Sequence, residues 1–186
     1  MVNEIPTGWR FDYRRNQYIP SESVSTKNKD VFKQFESGAV RDIQKGKGRC
    51  DLLPLDIVGE ILDGDYFLEA LGDCIRETST PPHKDIIPRL ESLLRDYLKY
   101  QFEDICTGFL ELSIHFEEGA ENYKERNWEL GIPVHSFLDS AARHRIKMLR
   151  GDTDERHDRA FGWNILCAIW TIKHKPELLD IYYKED

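Results

Sequence analysis

The stretch Phe161 to Ile172, "FGWNILCAIWTI", most constrains what this chain can fold into. Set on a helix it is apolar on nearly every side, and such a helix has to be enclosed by the rest of the chain. Apolar runs such as Ile165 to Ile169 are far too short to cross a bilayer. The pattern therefore predicts the central helix of a bundle, with no part for a membrane.

The segments after Pro54 supply its neighbours. "LDIVGEIL", "YFLEALGDCIRE" and "IIPRLESLLRDYLKYQFEDICTGFLELSIHFEEGAENY" repeat apolar residues at three and four positions, and alternating β-branched runs are missing. Thr78 to Pro82, "TSTPP", predicts a connection between two helices, since proline cannot continue a helix and restricts its predecessor. Three helices are expected in the second half: one ending near Tyr123, one from about Pro133 to Arg150 closed by Gly151, and one starting at Asp152 or Thr153 with acids in its first turn. The first thirty residues mix aromatics with Arg, Ser and Lys and show neither period. The expected fold class is all-α: a helical bundle with an irregular N-terminal arm, divided as an arm over 1–36 and a single domain over 37–186.

Charge and cysteines narrow the function. With 34 Asp and Glu against 26 Lys and Arg, the net charge of −8 argues against a general nucleic-acid-binding surface, which needs an excess of cations to displace counterions from phosphates. Cys50, Cys74, Cys106 and Cys167 are scattered, form no C-x-x-C pair and have no secretory leader ahead of them. They read as reduced thiols in a cytoplasm.

Projection of the helix before "KERNW" puts Ile105, Phe109, Leu112, Phe116 and Tyr123 on one side. Glu111, His115, Glu118 and Asn122 fall opposite, flanked by Glu117 and Glu121. Such a face is either solvated, or its like charges are relieved by a cation between them. Glu117, Glu118 and Glu121 form an E-E-x-x-E pattern whose oxygens suit a hard dication such as Mg²⁺, which shares its remaining positions with water and substrate phosphates.

"DTDERHD" offers a second acid group, Asp154, Glu155 and Asp158, with His157 among them; Glu155 and Asp158 stand in E-x-x-D spacing. Simple capping of a helix by acids is the alternative. Asn164, two turns beyond His157 on the same face, needs a partner if buried and can orient a ligand. Asp139, Arg143 and Lys147 follow at every fourth position, as a salt-bridged stripe or as a phosphate clamp. His144 points elsewhere on that helix and reads as a satisfied core histidine. In "NYKERNWELG", Trp128 can stack a base and Asn127 can read its edge, or Trp128 can plug the bundle end.

From Ser37 to Pro54 the chain gathers Arg41, Lys45, Lys47 and Arg49 among three glycines. Accessible amides beside cations suit an anion-binding lid over a triphosphate. The order lacks G-x-x-x-x-G-K-S/T, so no P-loop is indicated. A plain basic turn paired with the protein's own acids is the alternative.

Together "SGAVRD", "GKGRCDLLP", "HFEEGAENYKERNWELGIP", "FLDSAARHRIKMLRGDTDERHD" and "WNILCAIWT" resemble the phage proteins grouped as dATP/dGTP diphosphohydrolases, which are similar to the all-α, MazG-like nucleoside triphosphate pyrophosphatases. The resemblance covers Ser37 to Thr171 apart from the stretch between Gly59 and Gln101. It implies a bundle of the all-α NTP pyrophosphatase type, a homo-oligomer in the host cytoplasm if phage-encoded, that hydrolyses a purine deoxynucleoside triphosphate to monophosphate and pyrophosphate with Mg²⁺, or Mn²⁺ in its place. The implied metal ligands are Glu117, Glu118, Glu121, Glu155 and Asp158. Glu118, Arg143, Lys147 and His157 form the expected catalytic group; Arg41, Lys47, Arg49, Asn127, Trp128 and Asn164 form the expected substrate contacts. A whole helix lies between the two halves of the metal motif, longer than the family's usual interval, so Glu111, His115 or Asp154 stand as replacements. Two rival readings remain at this point. One is a metal phosphohydrolase built on His115, His144, His157 and Asp158, where Mn²⁺ or Zn²⁺ suits imidazole better than Mg²⁺. The other is a non-catalytic module that binds a nucleotide or a host protein.

Overall fold

A computed structural model of the protein describes residues 9–12, 17–20, 32–42, 48, 50–62, 64–77 and 86–181. Among these, six α-helices form an all-α bundle: α1 (Leu55–Ile61), α2 (Tyr66–Glu77), α3 (Ile86–Phe102), α4 (Ile105–Asn122), α5 (Val134–Arg150) and α6 (His157–His174). The expected connection at Thr78 to Pro82 falls outside the described residues, between the end of α2 and the start of α3.

α6 packs against α3, α4 and α5 and buries Phe161, Ile165, Cys167 and Ala168 completely. Its all-round apolar surface thus has the neighbours it requires. Tyr97 of α3 is also fully buried; its hydroxyl donates to the Asp158 carbonyl (2.8 Å), and its ring meets Phe161 (4.4 Å) and Phe67 of α2 (5.3 Å). That hydrogen bond ties α3 to the start of α6, and burial raises the Tyr97 phenol pKa. No helix among the described residues is long and apolar enough to cross a membrane. All four cysteines are free thiols.

The apolar spacing runs on through Glu103 and Asp104, yet the helix breaks there. Glu103 adopts φ 70°, and the Asp104 carboxylate caps α4 by accepting from the N–H groups of Cys106 (2.8 Å) and Thr107 (3.0 Å). The break brings α4 against α3 closely enough that a Cβ at Gly108 would lie 2.8 Å from that of Leu98.

Two antiparallel hairpins correct the expectation of an irregular N-terminal arm and leave the all-α class intact: β1 (Trp9–Asp12) with β2 (Gln17–Pro20), and β3 (Phe32–Gln34) with β4 (Val40–Asp42). Strands of three or four residues are too short to display an alternation. In the second hairpin Gly38 turns the chain at φ 86°, and the pairing is centred on Ser37.

A second correction concerns α6, which starts at His157 and not at Asp152 or Thr153. The acids before it have partners that hold a loop: Asp152 with Arg150, and Asp154 with Lys147 and His157. Glu155 therefore lies outside the helix, and its spacing to Asp158 is not a helical turn.

Candidate active site

The polar side of α4 faces α6. Glu111 accepts from Arg159 Nε (2.8 Å) and Nη2 (2.7 Å), and Glu118 lies 3.5 Å from Arg159 Nη1. His115 meets the Trp163 ring edge-on at 5.6 Å, and burial lowers its pKa. The solvated-face reading thus fits Glu117, Glu118, Glu121 and Asn122, which are exposed, and fails for the half-buried Glu111 and His115. The projected apolar side is also mixed, since Leu112 is buried but Phe109 is 45% exposed.

Between the end of α4, the end of α5 and the start of α6 lies a cleft of about 620 Å³, lined by Gln101, Glu118, Met148, Asp152, Glu155 and Asp158 among others. This is within the size range of ligand sites. Of the five acids in the expected metal set, Glu118, Glu155 and Asp158 line it; Glu117 and Glu121 do not. Burial alone would raise the Asp158 carboxyl. The Arg156 fork (2.9 and 2.6 Å) and the Arg159 N–H outweigh it and hold the pKa low.

Two histidines meet behind the cleft. His144 of α5 and His157 of α6 approach Nδ1 to Nδ1 at 3.0 Å. Glu155 Oε1 lies 3.0 Å from the first nitrogen and 3.5 Å from the second. On the other side of the His157 ring, Nε2 contacts Asp154 Oδ1 at 2.9 Å. Asp154 Oδ2 also accepts from Lys147 Nζ (3.1 Å), and hydrogen bonds from Lys147 and His157 pull the Asp154 carboxyl down to about 2. Burial, with His157 and Arg41 nearby, depresses His144 to about 2, so its ring is neutral. Two donor groups could hold a metal: His144, Glu155 and His157, or Asp152, Asp154 and His157.

The remaining expected residues are distributed as follows. Arg143 pairs with the buried Asp139, which also accepts from the Cys50 N–H (2.6 Å), and its Nη2 reaches the Gly48 carbonyl (3.3 Å). Lys147 pairs with Asp154 and leaves the stripe. Arg41 of β4 turns inward, donating to Asn164 Oδ1 (2.7 Å), while the Asn164 amide donates to the Ala160 carbonyl (2.7 Å). Burial draws the Arg41 guanidinium down to about 10, and its Nη1 is buried with no hydrogen-bond partner. Arg41 is therefore interior and not part of an exposed basic lid; Lys45, Lys47 and Arg49 lie outside the described residues.

Asn127 exchanges two hydrogen bonds with the Val40 backbone (2.8 and 2.9 Å), so its amide extends the β4 edge instead of facing a base. Trp128 packs on Phe116 (5.5 Å) and Trp170 (4.9 Å), the plug reading of this residue. Sequence reading gave His144 a role only in the rival metal phosphohydrolase, and did not place Arg156 and Arg159 among the acids. The available signal was the alternation of "RHDR", which interleaves cations with the one carboxylate at the helix start.

A helical bundle that brings imidazole, carboxylate and arginine side chains to one cleft defines an all-α protein with acidic and histidine groups that could hold a metal. More particularly, the family model described as "dATP/dGTP diphosphohydrolase, N-terminal" matches residues 95–181, and over that stretch the chain is similar to this family. The matched stretch runs from within α3 beyond α6 and contains His144, Asp154, Glu155 and His157. No curated protein and no solved structure matches the chain at a significant level.

Proposed function

We propose that the protein hydrolyses purine deoxynucleoside triphosphates, dATP or dGTP, to monophosphate and pyrophosphate with a divalent metal. The observation that carries this reading is the cleft in which Glu118, Glu155 and Asp158 come together from separate segments, within a region that matches a diphosphohydrolase family model.

The donor set fits a hard dication in type, since carboxylate oxygens from α4, the 152–156 loop and α6 share one space. Glu155 and Asp158 would hold it, with Glu118 opposite; Mg²⁺ is the expected ion and Mn²⁺ its substitute. A bound dication supplies Lewis acidity to the phosphoryl oxygens and to the attacking water.

The chain's own groups do the rest. Glu118, half exposed at the cleft wall, accepts a proton as water oxygen forms its bond to the α-phosphorus. The bond from that phosphorus to the bridging oxygen breaks, and the pair of electrons leaves with pyrophosphate. Lys147, 3.1 Å from Asp154, and Arg143 at the Gly48 carbonyl are the cations that would balance charge on the leaving group. Arg156 and Arg159 offset the acids in the meantime, so the cleft does not hold uncompensated like charges.

The deciding experiment incubates the purified protein with each common deoxynucleoside triphosphate and Mg²⁺ or Mn²⁺, and separates the products. Monophosphate with an equal amount of pyrophosphate is expected, fastest for the purines. A folded protein that releases neither product from any of them overturns the hydrolase reading in favour of a binding module.

A further inference from the structure

We infer that His144 Nδ1, His157 Nδ1 and Glu155 Oε1 form a nitrogen-bearing centre for a borderline first-row dication such as Mn²⁺, Co²⁺ or Zn²⁺, with Asp154 fixing the His157 tautomer. This goes beyond the carboxylate cleft, which it adjoins through Glu155, and it stands whether or not the protein hydrolyses nucleotides.

The geometry begins with the hydrogen-bonding roles at His157. Asp154 Oδ1 is a carboxylate acceptor 2.9 Å from His157 Nε2, so that ring nitrogen supplies the hydrogen of the contact. The other nitrogen, Nδ1, points at His144 Nδ1, 3.0 Å away, and at Glu155 Oε1, 3.5 Å away. His144 Nδ1 lies 3.0 Å from both His157 Nδ1 and Glu155 Oε1 and carries at most one hydrogen, so it cannot satisfy both.

Three acceptor atoms thus converge with edges of 3.0, 3.0 and 3.5 Å. Donors about 2.0–2.1 Å from a tetrahedral ion lie about 3.3 Å apart, a spacing those edges bracket. Imidazole nitrogen favours borderline ions over Mg²⁺. A carboxylate that binds the far nitrogen of a ligating histidine orients the ring and increases its basicity. Asp154 stands in that position, and Lys147 holds Asp154 in place from its other oxygen. His157 is 2% exposed, so its ring cannot swing away into water.

The test titrates the metal-free full-length protein with Co²⁺ alone, following the visible d–d bands and the helical circular dichroism. One equivalent with bands of nitrogen-containing, low-coordinate cobalt is expected. His144→Gln should abolish those bands with helicity unchanged, and Asp154→Asn should weaken Co²⁺ binding by about 10–100-fold. Two results overturn the centre: a wild-type spectrum that is all-oxygen and octahedral, or bands that persist unchanged in His144→Gln. Because His157 is buried, His144 and Asp154 carry the test, and neither variant opens the core. Cobalt binding as described without turnover of any triphosphate removes the hydrolase reading and leaves the centre; Mg²⁺-dependent turnover without a cobalt site does the reverse.

Discussion

Consecutive residues of α5 enter two buried polar clusters of opposite character. Arg145 faces α2, where its Nε donates to both oxygens of Asp65 (3.1 and 3.0 Å) and its guanidinium covers the Phe67 ring at 5.0 Å. Asp65 also accepts from the Leu68 N–H (3.0 Å) at the start of α2. Arg145 Nε and Nη2 both meet Asp65, and both side chains are under 10% exposed. His144 faces α6, where its Nδ1 meets His157 Nδ1 and Glu155 Oε1, two neighbours for at most one hydrogen. The first cluster is complete as an ion pair and serves the fold. The second is incomplete in its hydrogen bonds, and its converging acceptor atoms are the arrangement that the inferred metal centre uses.

The largest effect should come from opening the complete cluster. Asp65→Ala leaves the Arg145 charge buried without its partner and removes the cap at Leu68, a loss of about 3–5 kcal/mol in urea unfolding. The Co²⁺ spectrum of the fraction that stays folded should be unchanged. A loss below about 1 kcal/mol would put Arg145 in the same class as exposed pairs and erase the contrast.

The incomplete cluster should respond in the opposite sense. Glu155 is 46% exposed on its side chain, so Glu155→Gln is expected to shift stability by less than about 0.5 kcal/mol. Turnover should fall by more than about 100-fold, beyond what loss of an outer partner costs. Glu118→Gln should show the same split, with a fall of about 100-fold or more if Glu118 takes the proton. Destabilisation in step with lost turnover would mean that both acids serve the fold instead.

Much of the fold was legible because burial leaves a periodic trace. The enclosed face of α6 and the ends of α4 and α5 follow from the spacing of apolar residues and from Gly151. The site was legible in composition and not in assignment. E-E-x-x-E marks acids on α4, but a motif cannot tell which one turns toward α6; that depends on Arg159 standing opposite Glu118. Glu155 and Asp158 were expected one turn apart on a helix, but the ion pairs of Asp152 and Asp154 with residues at the end of α5 delay that helix by about a turn. His144 entered only the rival reading, because its partner lies thirteen positions along, beyond a helix end that no single-helix projection crosses.

A smaller effect distinguishes support from substrate recognition. Asn127→Ala removes the partners of both the Val40 N–H and its carbonyl, in a half-buried position. We expect a loss of about 1–3 kcal/mol, as for backbone groups left partly unsatisfied. Relative rates among the four deoxynucleoside triphosphates should not change. A changed order would return Asn127 to the substrate and take it out of the Asp65 class.

The smallest effect is expected at Glu117 and Glu121, and it sharpens the comparison most because sequence spacing ranks them equal to Glu118. Both are exposed, and among the described residues neither has an ion pair shown with the cations of α5 or α6. A helix turns about 100° per residue, so Glu117 is carried roughly a quarter-turn from the wall that Glu118 occupies. Replacing either by Gln removes a charge screened by water, and like-charge relief on the helix is worth only a few tenths of a kcal/mol. Stability should therefore stay within about 0.5 kcal/mol, and turnover and metal affinity within about twofold. A fall in turnover of the size expected for Glu118→Gln would show that the whole E-E-x-x-E unit reaches the metal, and that the exposed side of α4 closes on the cleft when substrate binds.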